Sequence, residues 1–336
     1  MSNIALVGAG YIGKLHANII RTSFPTSRIV AVVEEVEHKG KEFAAECGAR
    51  YYRNLSLALE NPDIDTVAIC APTFLHEELV LEAVKKGKNV FCEKPLAVSL
   101  GQADNMIAAV RKNRTAALCG HVLRFWPVYV RAKEIIAIGS LGKPLFGYCE
   151  RLLTMPTYTE KAWNAVEKRG GGVALDVQIH DIDFLSWVMG EAIELESKGV
   201  YEPAMGGWAH ITTTLRYRNG GSALVQAGWR FPEDFPFTMG FRFLCEKGVV
   251  EWSFRAGKLL EQRDTPSFLS IYRYGGKVES EQIDKTDAFL LEWKYFLECL
   301  QNHTPVEKAS FENGKQALRL ALATSESARS GKRVRL

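Results

Sequence analysis

The amino-terminal stretch NIALVGAGYIGKLHANII constrains the fold more than any other part of this sequence. A short apolar run leads into Gly8, Gly10 and Gly13, spaced as G-x-G-x-x-G, and a helical pattern follows them. Between a strand and a helix, such glycines permit a tight turn, close approach of the backbone to a pyrophosphate, and tight helix–strand packing. A helix that begins near Tyr11 and Ile12 would direct its first backbone N–H groups at the phosphates. The stretch therefore predicts a dinucleotide-binding turn.

The next apolar run, RIVAVVEE, ends in an acidic residue at the place where a dinucleotide-binding fold needs one. Glu34 follows Gly13 by about 20 residues. A carboxylate there accepts hydrogen bonds from the ribose hydroxyls of adenosine and repels a 2′-phosphate. No arginine follows immediately, although His38 and Lys39 are close. We therefore expect NAD as the cofactor, with NADP as the open alternative.

Short apolar runs alternate with helical patterns through the rest of the first third. DTVAICAP, NVFC and TAALCGH indicate further strands, and a capping box of Ser99 and Gln102 opens one of the helices between them. Strands separated by helices are joined by right-handed crossovers, which make them parallel. We therefore expect an α/β fold whose first domain is a Rossmann doubly wound parallel sheet.

Polar residues follow the fourth and fifth of these strands. Thr73 and His76 come after the fourth strand, while Glu93 and Lys94 end the fifth and Pro95 comes next. Ligands of doubly wound sheets lie beyond the carboxyl ends of the strands. Because proline disfavours the helical conformation for the residue before it, Lys94 should be held extended just past its strand. We expect this edge of the sheet to face the nicotinamide.

The second part of the chain has the pattern of a sheet-rich domain. HITTTLRYRNGGSALVQAGWRF alternates apolar and polar residues on both sides of Asn219-Gly220, which predicts a hairpin with a type I′ turn. Two helical segments follow near the carboxyl end. A broad sheet with one face free of helices must cover that face, and a second subunit is the expected cover.

The composition is ordinary for a globular protein, with 47% hydrophobic and 24% charged residues among 336. A net charge of +3, without a basic stretch interleaved with aromatics, argues against nucleic-acid binding. No apolar run is long enough for a membrane span, and no secretory leader precedes the first strand. The seven cysteines are scattered without a C-x-x-C pair, which favours a reducing compartment and no structural zinc. We expect a cytoplasmic protein with a small-molecule substrate and no membrane partner.

Four motifs together resemble one known family. GAGYIG, APTFLH, EKPLA and GGGVALDVQIHDIDFLSWVMG occur in this order and are similar to the glucose–fructose oxidoreductase, inositol dehydrogenase and MocA (Gfo/Idh/MocA) family along nearly the whole chain. The resemblance implies an NAD(P)-binding Rossmann domain over residues 1–121. It also implies an α/β domain over residues 122–336, with a large open, mostly antiparallel sheet that binds substrate and forms homodimers or homotetramers.

The resemblance also implies an activity and a set of site residues. The activity is NAD(P)-dependent hydride transfer between nicotinamide and a secondary alcohol of a sugar, inositol or related polyol. The implied catalytic residues are Lys94, Asp176 and His180. The implied cofactor contacts beyond the glycine turn and Glu34 are Ala71, Thr73, His76, Glu93 and Lys94. Trp163 and Asn164 occupy a region that touches substrate in some members of the family.

The residue types fit this chemistry without a metal. Asp176 and His180 are spaced i, i+4 on a predicted helix and so share a face. A histidine is suited to general acid–base work, and a nearby carboxylate can orient it or bind a substrate hydroxyl. Lys94 can stabilise the negative charge that grows on the carbinol oxygen. A metal site in D-x-x-x-H-D, with Asp181 or Asp183, is a weaker alternative, because no further His or Cys cluster supports it.

Several alternatives stay open at this level. Arg124 follows the sixth strand and could reach cofactor or substrate, or it could form a salt bridge at the domain boundary. Two other function classes are a glycosidase that uses tightly held NAD for transient oxidation, and a non-catalytic sugar or NAD sensor. The sequence does not specify the sugar or its stereocentre.

Overall fold

The structure is a computed structural model that describes residues 2–155, 163–256, 268–276 and 278–336. The strands of these residues are β1 Ser2–Val7, β2 Ser27–Val33, β3 Arg50–Tyr52, β4 Thr66–Ile69, β5 Asn89–Glu93, β6 Ala117–Gly120, β7 Pro144–Leu152, β8 Ala192–Glu202, β9 Gly207–Tyr217, β10 Ser222–Gly228, β11 Phe237–Cys245, β12 Gly248–Ala256, β13 Phe268–Arg273, β14 Glu279–Gln282 and β15 Val334–Arg335. The α-helices are α1 Tyr11–Ser23, α2 Glu37–Cys47, α3 Leu55–Ala58, α4 His76–Lys85, α5 Leu100–Asn113, α6 Pro127–Ile138, α7 Glu167–Gly170, α8 Ile179–Met189, α9 Ala288–Asn302 and α10 Phe311–Ser330. A π-helical turn, Ala174–Gln178, leads directly into α8.

The chain forms two compact units. The first comprises Met1–Val122 and Asp287–Leu318, and the second comprises Leu123–Thr286 and Arg319–Leu336. The first boundary lies next to the predicted one at 121/122, but the predicted division did not include the return of the chain to the first unit. The return has a packing cause, because the apolar side of α9 stacks on β5: the rings of Trp293 and Phe91 lie parallel, 4.5 Å apart.

The sheet of the first unit confirms the predicted doubly wound fold. Its strand order in the described chain is β3-β2-β1-β4-β5-β6, and every pair is parallel. Strands β1, β4, β5 and β6 are buried almost throughout, as expected when helices cover both faces of a parallel sheet. The order reverses between β1 and β4, and ligands bind beyond the carboxyl ends of the strands at such a point.

The sheet of the second unit is mixed and mostly antiparallel, as predicted. Its order within the described ranges is β14-β13-β12-β11-β7-β10-β9-β8-β15, and only the pair of β7 and β10 among these is parallel. Helices α6 and α8 pack on one face. Strands β9 and β10 alternate buried residues toward that face with half-exposed or exposed residues on the other.

The predicted hairpin between β9 and β10 is present, but its turn is not type I′. A type I′ turn needs positive φ at both central residues. In the structure Gly220 has φ +88°, whereas Asn219 does not adopt a positive φ. The N–H of Gly220 donates to the carbonyl of Tyr217, so Arg218 and Asn219 occupy the centre of the turn and Gly220 takes the left-handed position after it.

Within the described parts of the chain, no helix is both long enough and apolar enough to span a bilayer.

Candidate functional site

The glycine turn after β1 combines close packing with open space at the start of α1. A Cβ atom on Gly8, which has φ +103°, would lie 2.6 Å from the carbonyl oxygen of Cys70, and one on Gly13 would lie 2.1 Å from the carbonyl oxygen of Gly8. A Cβ on Gly10 would meet no atom of the described chain within 4 Å. Packing thus requires two of the glycines, while the third leaves open space at the N-terminus of α1. Tyr11 is exposed and Ile12 half-buried in the first turn of that helix.

Glu34 connects this turn to the loop that follows β2. One carboxylate oxygen accepts from the backbone N–H of Ala9, and the other accepts from the N–H of Val36, each at 3.0 Å. The side chain is half-buried, and a carboxylate has further lone pairs beyond these two bonds. The carboxylate is therefore fixed in place with acceptor capacity left for ribose hydroxyls.

The loop after β4 brings together Ala71, Thr73 and His76. The His76 ring is buried; its Nε2 lies 2.9 Å from the carbonyl oxygen of Ala71, and its Nδ1 lies 3.1 Å from that of Pro95 and 3.3 Å from that of Leu96. Burial lowers the pKa of His76, although the carbonyl groups at both nitrogens oppose this. His76 thus braces the loops after β4 and β5, and direct contact with the cofactor stays a prediction.

Thr73, in the same loop, has a buried hydroxyl group. The residue is 1% exposed, and its hydroxyl has no hydrogen-bond partner among the described residues. Buried hydroxyl groups are normally satisfied. An unsatisfied one beyond the carboxyl end of β4 fits a bound cofactor that supplies the partner.

Strand β5 ends in a buried carboxylate and is followed by a more accessible lysine. Glu93 Oε1 lies 2.7 Å from Nε2 of His16, and Glu93 Oε2 accepts from the backbone N–H of Lys94 at 3.0 Å. Lys94 is half-buried, directly after the strand. In this unit the predicted cofactor residues therefore occupy one edge of the sheet, at the carboxyl ends of β1, β2, β4 and β5.

In the second unit, Asp176 and His180 differ from their surroundings in exposure. Every other residue from Gly171 to Leu185 is buried, whereas Asp176 and His180 are half-exposed. Asp176 lies in the π-helical turn and His180 in the first turn of α8. Single π-helical turns inside helices occur frequently at functional sites.

Asn164 holds Asp176 through a direct hydrogen bond. Its Nδ2 donates to Asp176 Oδ2 at 2.9 Å, and the residue is 3% exposed. The glycine run packs closely around it: a Cβ on Gly170 would lie 2.3 Å from the Cα of Asn164, and the N–H of Gly172 donates to the Asn164 carbonyl at 3.1 Å. The preceding Trp163 is half-buried. The structure thus joins two of the predicted site residues, Asn164 and Asp176.

The other two acidic residues of this helix, Asp181 and Asp183, each form an ion pair with an arginine. Arg151 forms a bidentate pair with Asp181, with N–O distances of 2.9 and 3.0 Å, and both side chains are buried. Arg124 forms a bidentate pair with Asp183, with both distances 2.8 Å. Arg124 forms this pair within the second unit, and its contact with cofactor or substrate stays a prediction. No group of three or more His, Cys, Asp or Glu in the described ranges is arranged to hold a metal ion.

Three residues of these two regions were not singled out from the sequence. His16 and Trp293 lie behind the end of β5, and Arg151 lies on β7 under α8. His16 carried a signal, since it is one turn of helix after Gly13 on the buried side of α1. Trp293 belongs to the apolar side of α9, and nothing else in the sequence distinguishes it from a packing residue.

Comparisons with known proteins agree with this arrangement. Residues 2–121 match the family model described as "Oxidoreductase family, NAD-binding Rossmann fold", and residues 129–251 match the GFO/IDH/MocA C-terminal domain. The scyllo-inositol 2-dehydrogenase (NAD(+)) of Bacillus subtilis is 28% identical over 99% of this chain and 95% of its own length. The myo-inositol 2-dehydrogenase of Thermotoga maritima is 27% identical over 99% of this chain and 98% of its own.

A solved structure of levoglucosan dehydrogenase with NADH and levoglucosan superimposes with a TM-score of 0.86 at 20% identity, covering 99% of both chains. At that identity the likeness supports the fold. The two family models match residues of both units, and the glycine turn, Glu34 and the run Glu93-Lys94-Pro95 lie at the carboxyl ends of the strands, where doubly wound sheets bind their ligands. The chain therefore belongs to the Gfo/Idh/MocA family of NAD-binding oxidoreductases.

Proposed function

We propose that this chain is an NAD-dependent dehydrogenase that transfers a hydride between nicotinamide and a secondary alcohol of an inositol, sugar or related polyol. The observation that carries the proposal is the exposure of Asp176 and His180 alone within a buried segment. A base and a carboxylate kept accessible on one side of a helix, in an NAD-binding family, suit the oxidation of an alcohol. Two relatives named as inositol dehydrogenases match over nearly the whole chain and support the substrate class.

In this proposal the second unit handles the proton. His180 removes the proton of the reacting hydroxyl in the oxidative direction and returns it in reduction. Asp176 accepts a hydrogen bond from a substrate hydroxyl or orients His180, and Asn164 fixes its carboxylate for that task. Because Arg151 and Arg124 neutralise the neighbouring Asp181 and Asp183, these two carboxylates do not compete for the same proton.

The first unit holds the cofactor and stabilises charge. Gly8, Gly10 and Gly13 with the first turn of α1 would hold the pyrophosphate, and Glu34 the adenosine ribose. When bound, NAD supplies the hydride acceptor. The ammonium group of Lys94 stabilises the negative charge on the carbinol oxygen as its proton leaves.

A coupled assay tests this function. The protein is mixed with NAD or NADP and a panel of inositols, aldoses and sugar acids, and reduced nicotinamide is followed by its absorbance. We expect turnover with NAD that Lys94→Ala and His180→Ala each lower by roughly a thousandfold or more. Lys112→Ala and His303→Ala, which alter exposed residues of the same types, are the matched controls.

Turnover that survives Lys94→Ala would refute the mechanism. If NAD binds but no compound of the panel gives reduced nicotinamide, the result would favour the glycosidase that uses NAD for transient oxidation, or the sensor. Release of sugar from a glycoside without net NADH would separate those two.

We further propose that the face of the second sheet opposite α6 and α8 pairs with a second copy of the chain. That face presents half-exposed residues such as Tyr148, Leu224 and Gln226, a mixture of aromatic, aliphatic and amide groups that suits a homo-oligomer interface. Light scattering should give a mass of two or four chains, and Leu224→Arg should reduce it. A wild-type monomer at micromolar concentration would contradict this proposal.

A further inference from the structure

The side chain of Glu93 is directed into the first unit rather than toward the carboxyl edge. It has 6% of its surface exposed and lies on β5 opposite Gly120 of β6. A Cβ atom at Gly120 would lie 3.0 Å from the Glu93 carboxyl group, closer than ordinary packing allows. The glycine on the neighbouring strand thus leaves the space into which this carboxylate fits.

A continuous chain of hydrogen bonds runs from α9 to the backbone of Lys94. Trp293 Nε1 donates to His16 Nδ1 at 2.8 Å, and His16 Nε2 lies 2.7 Å from Glu93 Oε1. Glu93 Oε2 then accepts from the N–H of Lys94 at 3.0 Å. All four residues belong to the first unit, although Trp293 and His16 are 277 positions apart in the sequence.

Trp293 sets which atom donates and which accepts along this series of hydrogen bonds. An indole N–H can donate but cannot accept, so Nδ1 of His16 must be the acceptor and carries no proton. The proton of the neutral ring is therefore on Nε2, from which it is donated to Glu93. The rings of Phe91, Phe289 and Trp293 surround His16 at centroid distances of 5.0 to 5.9 Å, all in edge-to-face contact, which holds the imidazole in this orientation.

The two buried carboxyl groups behind the strand end, Glu93 and Glu292, have pKa values shifted in opposite directions. Burial alone would raise its pKa, but the hydrogen bond from His16 and the nearby ammonium of Lys94 hold that pKa below its usual value. Glu292, next to Trp293 on α9, is also buried, and its two carboxyl oxygens have no hydrogen-bond partner in the described structure. Burial, reinforced by the charge of Glu93, raises the pKa of Glu292 well above its usual value, which favours the neutral form of this second carboxyl.

We propose that His16 and Trp293 are positioning residues for Lys94. The indole N–H holds the His16 ring in the orientation in which Nε2 donates to Glu93, and Glu93 in turn fixes the backbone of Lys94 at the end of β5. The arrangement deepens the proposed function and rests on the role proposed there for Lys94. In this proposal α9, which belongs to the first unit, does more than pack on β5, because it supplies the residue that orients the imidazole.

Nuclear magnetic resonance can test the chain of bonds without a substrate. In protein with ¹⁵N-labelled histidine, the ring of His16, assigned by its loss in His16→Gln, should be protonated on Nε2 alone. Trp293→Phe keeps an aromatic ring on Phe91 and removes the N–H. We expect the His16 ring of this variant to lose its fixed orientation and the Lys94 amide to exchange with solvent about tenfold faster, as expected for the loss of one hydrogen bond. NAD affinity should be unchanged, and kcat should fall by a similar factor with little change in KM.

Trp229→Phe is the matched control. It removes the N–H of a buried indole that has no hydrogen-bond partner among the described residues, and it should leave the Lys94 amide unchanged. Should Trp293→Phe fail to fold, Gly120→Ala serves in its place, because it displaces the Glu93 carboxyl while Trp293 and His16 remain.

Two results would overturn the proposal: protonation of wild-type His16 on Nδ1, or an unchanged Lys94 exchange rate in the variant. Turnover retained by Lys94→Ala would instead refute the proposed function and would leave these spectroscopic results as they are.

Discussion

Each unit contains a pair of adjacent residues in which one is accessible and the other is a buried carboxylate. In the first unit Glu93 is buried and Lys94 is half-buried; in the second Asp181 is buried and His180 is half-buried. In both pairs the buried carboxylate anchors the backbone element that carries the accessible group. The similarity shows that an acidic residue beside a functional candidate can be part of its support and not of its chemistry.

The two pairs differ in what holds the carboxylate. Glu93 is bound by an imidazole N–H and a backbone N–H, so its negative charge persists next to Lys94. Asp181 faces the guanidinium of Arg151, which cancels its charge. Beside His180, Asp176 is therefore the carboxylate that remains accessible. The first anchor influences its lysine electrostatically, while the second acts on the helix mainly through geometry.

The largest expected effect comes from removing the countercharge of Asp181. Arg151→Met leaves a buried carboxylate without its partner and should lower the free energy of unfolding by about 3–5 kcal/mol. Urea unfolding measures this loss. The control is Arg242→Met, which breaks the exposed pair of Arg242 and Glu251 on the same sheet and should cost about 0–1 kcal/mol. Equal losses for the two variants would show that the buried pair is no anchor.

A second substitution pair separates structural from functional glycines in the turn after β1. Gly13→Ala forces a Cβ to within 2.1 Å of the Gly8 carbonyl and should destabilise the fold by about 1–3 kcal/mol. Gly10→Ala places its Cβ in open space, so stability should stay within about 0.5 kcal/mol. Its NAD affinity, measured by calorimetry, should nevertheless fall about tenfold or more, roughly 1.4 kcal/mol. Unchanged affinity would place the pyrophosphate elsewhere.

The raised pKa of Glu292, behind Glu93, predicts a pH-dependent stability. Because the folded state raises the pKa of Glu292 above 4.5, the folded protein keeps a proton that the unfolded chain loses. Stability is therefore lost as pH rises from that value toward the folded pKa, at about 1.4 kcal/mol per pH unit. Glu292→Gln should remove this slope and be more stable than the wild type at neutral pH, but not near pH 4. Glu298→Gln, at an exposed position of the same helix, should not change the slope.

The smallest expected effect concerns the buried hydroxyl of Thr73. Thr73→Val should change stability by less than about 0.5 kcal/mol, since the hydroxyl has no partner in the described structure. NAD affinity should fall by about two- to tenfold, the worth of one hydrogen bond. Thr115→Val is the control, because Thr115 also has an unsatisfied buried hydroxyl but precedes β6 at the opposite edge of the sheet. An equal fall in both variants would contradict a cofactor contact at Thr73.

The sequence allowed the fold class and most of the candidate positions to be predicted, because those depend on local patterns. The glycine spacing, the acidic end of β2 and the residues after β4 and β5 are each readable within a few residues. The differences from the prediction concern the backbone conformation of one turn and contacts between residues far apart in the sequence. The turn at Asn219 is not type I′, since dipeptide preference does not decide which residue takes positive φ. The assignment of residues 287–318 to the second domain also missed a helix that packs on the first.

By itself, therefore, the sequence determined the alternation of strands and helices, the edge of the first sheet where ligands belong, and the family. Only the tertiary structure decided which polar residues are available for chemistry. Arg124 and Asp183 form an ion pair, His76 bridges two loops, and Trp293 with Glu93 orients the ring of His16. The physical reason is that hydrogen-bond partners and burial are properties of residues brought together from distant parts of the chain, whereas strand, turn and helix signals are local.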